Sequence, residues 1–225
     1  MKTLSKKKGG YEIDMELDLT GKKAIVTGGG RGLCRSIAEA LHDSGAEVIL
    51  VGSSGSAVQA AEEMNVHGAN VYAVTGNLGD KQEITSIFNK CMELFDGRID
   101  ILVNGAGVQF RSDAVDFPAE AWERVLSINL SAVFYLSQMV GRVMIEHKYG
   151  KIINIASMTS FFGSERIPAY TASKAGIAQL TKALSNEWAR AGVNVNAIAP
   201  GYMATKLTQD IKEKNPKQYQ EITSR

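Results

Sequence analysis

Two side chains with complementary chemistry lie four positions apart in the segment AYTASKAG, residues 169–176. If this segment is helical, Tyr170 and Lys174 share one face, because residues four apart lie one above the other on a helix. A phenol with its ordinary pKa of about 10 is a poor base near neutral pH, and a neighbouring cation lowers that pKa. The pair therefore predicts a tyrosine that acts as general acid or base in interconverting a carbonyl and an alcohol.

A serine and a glycine run surround this pair with further chemistry. Ser157 ends the apolar run KIINIAS, a short distance before Tyr170. The glycine run TGGGRGLC, residues 27–34, follows the apolar run KAIVTG and opens a helical pattern. Glycines between a strand and a helix let a pyrophosphate approach the free N–H groups of the helix start. This placement predicts a dinucleotide site.

The end of the second apolar run bears on the choice of dinucleotide. A carboxylate at this position accepts from the ribose hydroxyls and repels a 2′-phosphate. Here the run EVILVG ends at Gly52 and is followed by Ser53 and Ser54, and Arg31 of the glycine run could attract a phosphate. The sequence permits NADP without requiring it, so NAD and NADP both stay open.

Short apolar runs alternate with longer helical patterns along the whole chain. Strands are predicted over residues 23–28, 47–52, 70–76, 99–107, 151–157 and 194–200. Helices are predicted over 33–43, 56–65, 80–95, about 118–148 and 170–191. Continuously apolar strands that alternate with helices indicate an α/β fold, a Rossmann-like doubly wound parallel sheet in a single domain. Ligands of such sheets bind beyond the carboxyl ends of the strands.

Composition sets the broad class of the protein. The chain has 225 residues, of which 44% are hydrophobic and 22% charged, with a net charge of +1. A net charge this close to zero gives no reason to expect a surface that binds nucleic acid. No apolar run approaches membrane-spanning length. Cys34 and Cys91 lack metal-ligand spacing and are interpreted as reduced thiols of a cytoplasmic protein. We expect residues 1–10 to be a disordered tail within an N-terminal tail over 1–18, and a catalytic domain over 19–225.

From residue 19 onward the chain resembles the short-chain dehydrogenases/reductases. Ser157, Tyr170 and Lys174 reproduce that family's Ser-x12-Tyr-x3-Lys signature, and Asn129 in SINLSAVF matches its fourth catalytic residue. The resemblance implies hydride transfer between a substrate carbon and a nicotinamide cofactor. Ser157 would polarise the substrate oxygen and Tyr170 would move its proton. Lys174 would lower the pKa of the tyrosine and hold the nicotinamide ribose, and Asn129 would hold a local helix distortion.

The resemblance also implies a set of cofactor-binding residues. Thr205, after the family's Pro–Gly motif, would hold the nicotinamide carboxamide. The full set is Thr27, Gly28, Gly30, Arg31, Gly32, Leu33, Ser53, Asn77, Leu78, Asn104, Ala106, Gly107, Tyr170, Lys174, Pro200, Gly201, Met203 and Thr205.

The chain departs from the family pattern in its cofactor half. Cys34 stands where the third glycine is usual, Asn77 where an acid is usual, and Gly105 where NNAG has its second asparagine. We expect these changes to retune cofactor affinity and leave the chemistry intact. The family also continues through a final edge strand that often builds a homotetramer. We therefore expect this chain to be C-terminally incomplete, with the final edge strand absent.

Two strings narrow the substrate class. NEWA and APGYMAT make the chain similar to gluconate 5-dehydrogenases and 2-dehydro-3-deoxy-D-gluconate 5-dehydrogenases, which implies a sugar-acid substrate. Arg111 and Arg166 are predicted near the mouth of the site, where a guanidinium could bind a carboxylate. Either arginine can equally be a solvated surface residue. A 3-oxoacyl carrier-protein reductase and a non-catalytic dinucleotide-binding protein remain the alternative functions.

Overall fold

A six-stranded parallel sheet forms the centre of the computed structural model, which describes residues 3–7, 10–14, 17–65 and 70–203. Its strands are β3 (Lys23–Thr27), β4 (Glu47–Gly52), β5 (Val71–Thr75), β6 (Ile101–Asn104), β7 (Gly150–Ile155) and β8 (Val193–Ile198). They lie in the order β5-β4-β3-β6-β7-β8. The chain reverses its direction of travel across the sheet between β3 and β6, which is where a doubly wound sheet opens a ligand crevice.

Helices cover both faces of this sheet. They are α1 (Gly32–Asp43), α2 (Ser56–Met64), α3 (Lys81–Leu94), α4 (Ala119–Leu126), α5 (Ala132–Glu146) and α6 (Pro168–Trp188). Successive strand residues point to opposite faces. Ile25 therefore packs in the core cluster that contains residues of α3, α5 and α6, whereas its neighbour Val26 packs with residues of α1 and α2. The predicted Rossmann-like fold is confirmed, and both sheet faces are buried, as the continuously apolar strands indicated.

The predicted helix over residues 118–148 is interrupted. A π-helical segment, Ser127–Ser131, separates α4 from α5. In the preceding loop a 3₁₀ turn covers Ala114–Asp116. Helix α6 begins two residues earlier than predicted, at Pro168, whose fixed φ suits the first turn of a helix. Tyr170 therefore lies inside the first turn of α6.

The N-terminal segment differs from the expected disordered tail. The strands β1 (Thr3–Lys7) and β2 (Gly10–Asp14) pair antiparallel and form a two-stranded sheet that is separate from the main one. The expectation for residues 1–10 is therefore wrong for the paired residues. Two short adjacent segments can satisfy their backbone groups by pairing with each other, which the composition of the segment did not reveal.

One helical stretch, Ala119–Glu146, is long and apolar enough to cross a membrane by length and composition, and an 18-residue window within it has a mean hydropathy of 1.3. The expectation that no apolar run approaches this length is therefore wrong. Leu136, Val140 and Met144 of this stretch are fully or almost fully buried in the core cluster that contains sheet residues such as Ile25. Packing on the sheet accounts for the apolar composition.

Candidate active site

Tyr170 and Lys174 lie on one face of α6. The Lys174 Nζ atom is 5.7 Å from the centroid of the Tyr170 ring. Lys174 is only 5% exposed, and its Nζ donates a hydrogen bond to the carbonyl oxygen of Ile155 at the end of β7. This bond ties the ammonium to the carboxyl edge of the sheet.

Ser157 lies beside Tyr170 and Lys174 but comes from the loop after β7. It caps a 3₁₀ turn, Met158–Ser160, and its hydroxyl accepts from the Thr159 N–H at 3.2 Å. The hydroxyl of Ser160 donates to the Lys174 carbonyl oxygen at 2.7 Å, which fixes this turn against α6. The Ser157 hydroxyl lies close enough to the Tyr170 phenol to lower the pKa of that phenol. The fold therefore brings the three predicted side chains together, although they come from a strand end and a separate helix.

The electrostatics of the tyrosine differ from the expectation. Burial raises the pKa of the Tyr170 phenol above its ordinary value, and the neighbouring Ser157 hydroxyl acts in the opposite direction. Lys174 is not among the causes of this shift. Its own pKa is lowered to about 8 by burial. The expected lowering of the tyrosine pKa by the lysine is therefore not found, and burial is the largest influence on the phenol.

Asn129 lies in the π-helical segment and is 1% exposed. Its amide clamps one residue of the loop after β6. The Val108 N–H donates to Asn129 Oδ1 at 2.8 Å, and Asn129 Nδ2 donates to the Val108 carbonyl at 2.9 Å. Asn129 Nδ2 also donates to the hydroxyl of Ser173 at 3.2 Å, and that hydroxyl donates to the Tyr170 carbonyl at 2.7 Å. The chain of bonds joins the loop after β6 to the first turn of α6.

Ser173 was missed by the sequence reasoning. It is fully buried and connects Asn129 with Tyr170. Its position directly before Lys174 could have indicated a structural role, because a polar residue on a buried helix face needs a hydrogen-bond partner. Gly107 is close to this network, since a Cβ there would lie 3.4 Å from Asn129 Oδ1 and 3.9 Å from Lys174 Nζ.

The glycine loop after β3 fits a dinucleotide phosphate. Its N-cap residue Arg31 makes no side-chain cap, and the first turn of α1 holds no acid, so the first N–H groups of α1 are available to an anion. By contrast, α3 is capped by Asp80. Glycine is required at Gly28, which has a φ of +72°, and at Gly30, where a Cβ would lie 2.7 Å from the Ala57 N atom. The loop thus passes close to the start of α2.

The strand end next to the glycine loop carries no acid. Ser53 and Ser54 follow β4, and both are exposed. Arg35 forms ion pairs with Glu39 and Glu63. Within the part of the chain that the structure describes, Arg31 has no ion-pair partner and is exposed. Arg31 is therefore the cation that remains available beside this strand end.

Two predicted cofactor residues support the floor of the crevice. The Thr27 hydroxyl accepts from the Gly105 and Ala106 N–H groups at 3.0 and 3.1 Å, which ties the end of β3 to the loop after β6. Asn104 Nδ2 donates to Ser137 Oγ at 3.0 Å and to Asn154 Oδ1 at 2.9 Å. Both side chains are buried, so they position the backbone of the crevice.

Asn77 makes a turn after β5. Its Oδ1 accepts from the Gly79 N–H at 2.9 Å, and its own N–H donates to a Glu83 carboxylate oxygen at 2.8 Å. The side-chain oxygen of this predicted cofactor residue is thus already engaged once, although an amide oxygen has two lone pairs. Leu78 is buried directly after it, at 7% exposure.

The two candidate substrate arginines differ in their surroundings. Arg166 Nε lies 2.9 Å from Asp113 Oδ1, and the Arg166 carbonyl accepts from the Ser112 N–H at 3.0 Å. Arg111 is exposed and has no ion pair among the described residues. The loops after β6 and β7 are therefore joined at Arg166, and Arg111 beside that junction is the unpaired cation.

The loop after β8 borders the same edge. The Met158 N–H donates to the Pro200 carbonyl at 3.2 Å, which connects this loop to the turn that holds Ser157. Gly201 and Met203 are exposed. Thr205, the predicted ligand of the nicotinamide carboxamide, lies outside the described residues. Among the described residues no group of three or more His, Cys, Asp or Glu side chains could hold a metal ion.

Comparison with known proteins gives this arrangement a context. The sequence model of the short chain dehydrogenase family matches residues 22–216. The 2-dehydro-3-deoxy-D-gluconate 5-dehydrogenase of Bacillus subtilis is 44% identical over 91% of this chain and 79% of its own length. The 3-oxoacyl-(acyl-carrier-protein) reductase of Aquifex aeolicus is 39% identical over 92% of this chain and 84% of its own.

A solved structure extends the likeness to three dimensions. The gluconate 5-dehydrogenase of Burkholderia cenocepacia, solved with NADP and tartrate, has a TM-score of 0.82 and is 31% identical. The match covers 92% of this chain and 80% of that one.

Proposed function

Because the chain belongs to the short-chain dehydrogenase family and is an NAD(P)-dependent oxidoreductase, we propose that its substrate is a sugar acid of the gluconate or 2-dehydro-3-deoxygluconate type. The reaction interconverts a secondary alcohol and a ketone of that acid. The observation that carries the proposal is the convergence of Ser157, Tyr170 and Lys174 at the carboxyl edge of the sheet. The similarity of the chain to sugar-acid dehydrogenases supports the choice of substrate.

Each side chain has a role in the proposed reaction. The bound dinucleotide supplies or accepts the hydride. The Ser157 hydroxyl holds the substrate oxygen, and the Tyr170 phenol gives that oxygen its proton during reduction or takes it during oxidation. Lys174 places its buried ammonium next to the Tyr170 ring, and Asn129 holds the loop after β6 in place. A buried phenol with a raised pKa is protonated at neutral pH, which suits it to protonate a ketone oxygen.

We propose NADP as the preferred cofactor. No acid follows β4 to repel a 2′-phosphate, and the exposed Ser53 offers it a hydroxyl. Arg31 lies in the adjacent glycine loop without an ion-pair partner among the described residues, whereas Arg35 is engaged by two glutamates. The relative from Burkholderia cenocepacia was solved with NADP.

Replacing Arg31 by methionine is expected to raise the Kd for NADPH about tenfold. A charge-assisted hydrogen bond contributes about 1.5–3 kcal/mol, and we expect the lower end of that range because Arg31 is exposed to solvent. The Kd for NADH should hardly change. Fluorescence titration of each reduced cofactor measures both constants. Arg190→Met, which removes an exposed arginine just before the start of β8, is the matched control. Equal weakening of NADPH and NADH would count against the assignment.

We propose that Arg111 binds the substrate carboxylate, since Arg166 is already paired with Asp113. Arg111→Met should raise KM for sugar acids about tenfold or more, because a carboxylate loses its charged partner. Arg166→Met should raise it less. KM for a neutral sugar ketone serves as the internal control in each variant. If Arg111→Met raises both KM values alike, the carboxylate is bound elsewhere.

A substrate panel tests the proposed function. The full chain is assayed with NADPH and NADH against 5-keto-D-gluconate, a neutral ketose and a 3-oxoacyl thioester, the last because the relative from Aquifex aeolicus acts as a 3-oxoacyl-carrier-protein reductase. We expect kcat/KM to be highest for the sugar acid. Preference for the thioester would assign the chain to the alternative reductase. Cofactor binding without turnover of any compound would indicate a non-catalytic binding protein.

We further propose that the protein is cytoplasmic and acts as a homotetramer, with its catalytic domain over residues 19–225 and with no membrane or nucleic-acid partner. The near-neutral net charge of +1 supports the last point. The tetramer rests on family resemblance, and light scattering of the full chain measures it.

A further inference from the structure

Cys34 and Gly105 compete for one volume between two loops of the cofactor crevice. Cys34 lies in the first turn of α1, and Gly105 directly follows β6. A Cβ atom built on Gly105 would lie 2.1 Å from Cys34 Sγ and 3.0 Å from the Thr27 carbonyl oxygen. The first distance is far below van der Waals contact. No side chain fits at position 105 unless the thiol moves.

Backbone conformation does not explain the glycine. Gly105 is not among the glycines of this chain with positive φ, such as Gly28 at +72°. Its backbone is also well held, because its N–H donates to the Thr27 hydroxyl at 3.0 Å. Space explains the glycine: a Cβ would overlap the Cys34 sulfur and would also lie 3.0 Å from the Thr27 carbonyl oxygen.

The thiol behaves as a packing group. Cys34 is 7% exposed and belongs to the core cluster that contains Val26 and Val103. Burial raises the pKa of the Cys34 thiol, and the electrostatic effect of the nearby Lys174 ammonium acts in the opposite direction. A thiol with a raised pKa stays protonated near neutral pH and fills volume as a small apolar side chain.

We infer that Cys34 and Gly105 form an interlocked pair of positioning residues, in which the thiol sets the spacing between the N-terminal turn of α1 and the loop after β6. These two segments form opposite walls of the proposed cofactor crevice, and the second one leads to Val108 and the Asn129 clamp. The inference rests on the proposed function, because it names residues that shape the cofactor site of that function. Each residue is unfavourable without the other: a larger residue 105 clashes with the thiol, and a glycine at 34 leaves a gap beside Gly105.

A double-mutant cycle tests the pair. We expect Gly105→Asn alone to raise the Kd for NADPH at least about tenfold, because overpacking displaces the wall of the crevice. Cys34→Gly alone should raise it a few fold. The double variant should return to within about threefold of the wild type, because the asparagine then occupies the space vacated by sulfur. Fluorescence titration gives Kd, and thermal unfolding without cofactor gives an independent readout.

Further variants keep the test decisive. If Gly105→Asn does not fold, Gly105→Ala combined with Cys34→Ala completes the same cycle with a smaller side chain. Additive effects on Kd would overturn the inference, as would a cycle in which the unfolding temperature is coupled but Kd is not. Failure of the proposed function would look different, because the wild type would then bind NADPH without turning over a sugar acid.

Discussion

Tyr170→Phe is expected to lower kcat for the sugar-acid ketone by about 10³-fold, within the range that general acid–base catalysis contributes. The variant loses only the phenolic hydroxyl, the group whose pKa the neighbouring Ser157 lowers. The ring and its contact with Lys174 remain. Steady-state loss of NADPH absorbance at saturating substrate measures the effect.

Two controls separate chemistry from structure in that experiment. The unfolding temperature of Tyr170→Phe should stay close to the wild-type value, and its Kd for NADPH should rise far less than kcat falls. Tyr149→Phe is the matched variant, because the Lys22 Nζ lies 4.3 Å from the centroid of the Tyr149 ring at the opposite end of β7. It should leave kcat unchanged. A Tyr170→Phe enzyme with at least a tenth of the wild-type kcat would remove the phenol from the mechanism.

Lys174→Met is expected to reduce kcat about 100-fold and also to change how stability depends on pH. Burial lowers the pKa of Lys174 to about 8, against an ordinary value of 10.5. Between these two values the unfolded chain binds more protons than the folded one, so the folded state gains stability as the pH rises. Below pH about 8 the penalty of the buried charge is present in full. The wild type should therefore gain about 3 kcal/mol relative to the variant between pH 8 and 10.5.

Urea unfolding of wild type and Lys174→Met at pH 7.5 and pH 10 measures this gain. Lys182→Met, which removes an exposed lysine from the same helix, controls for the loss of one positive charge. A free-energy difference between wild type and Lys174→Met that is the same at both pH values would contradict the buried-charge interpretation.

The parts of the site that follow from local rules could be predicted from the sequence. The spacing of Tyr170 and Lys174 sets them on one helix face, and the position of Ser157 at a strand end sets it at the ligand edge of a parallel sheet. The glycine run between β3 and α1 indicated the phosphate site for the same reason. These features need only the helical period and the direction of the strands.

The remaining features depend on contacts between distant segments. The packing of Cys34 against Gly105 and the ion pair of Arg166 with Asp113 join loops whose separation no spacing rule encodes. The π-helical segment around Asn129 was expected only through family resemblance. The pKa of Tyr170 was expected to be lowered and is raised, because spacing reveals a neighbouring cation but does not reveal how deeply the phenol is buried.

The role of Tyr170 in ketone reduction is tested by following absorbance at 340 nm after NADPH and 5-keto-D-gluconate are mixed with the wild type and, in parallel, with Tyr170→Phe. We expect the wild type to consume NADPH one-to-one with the ketone and the variant to consume it at a rate close to the uncatalysed background. No NADPH consumption by the wild type, or equal rates for both proteins, would contradict it.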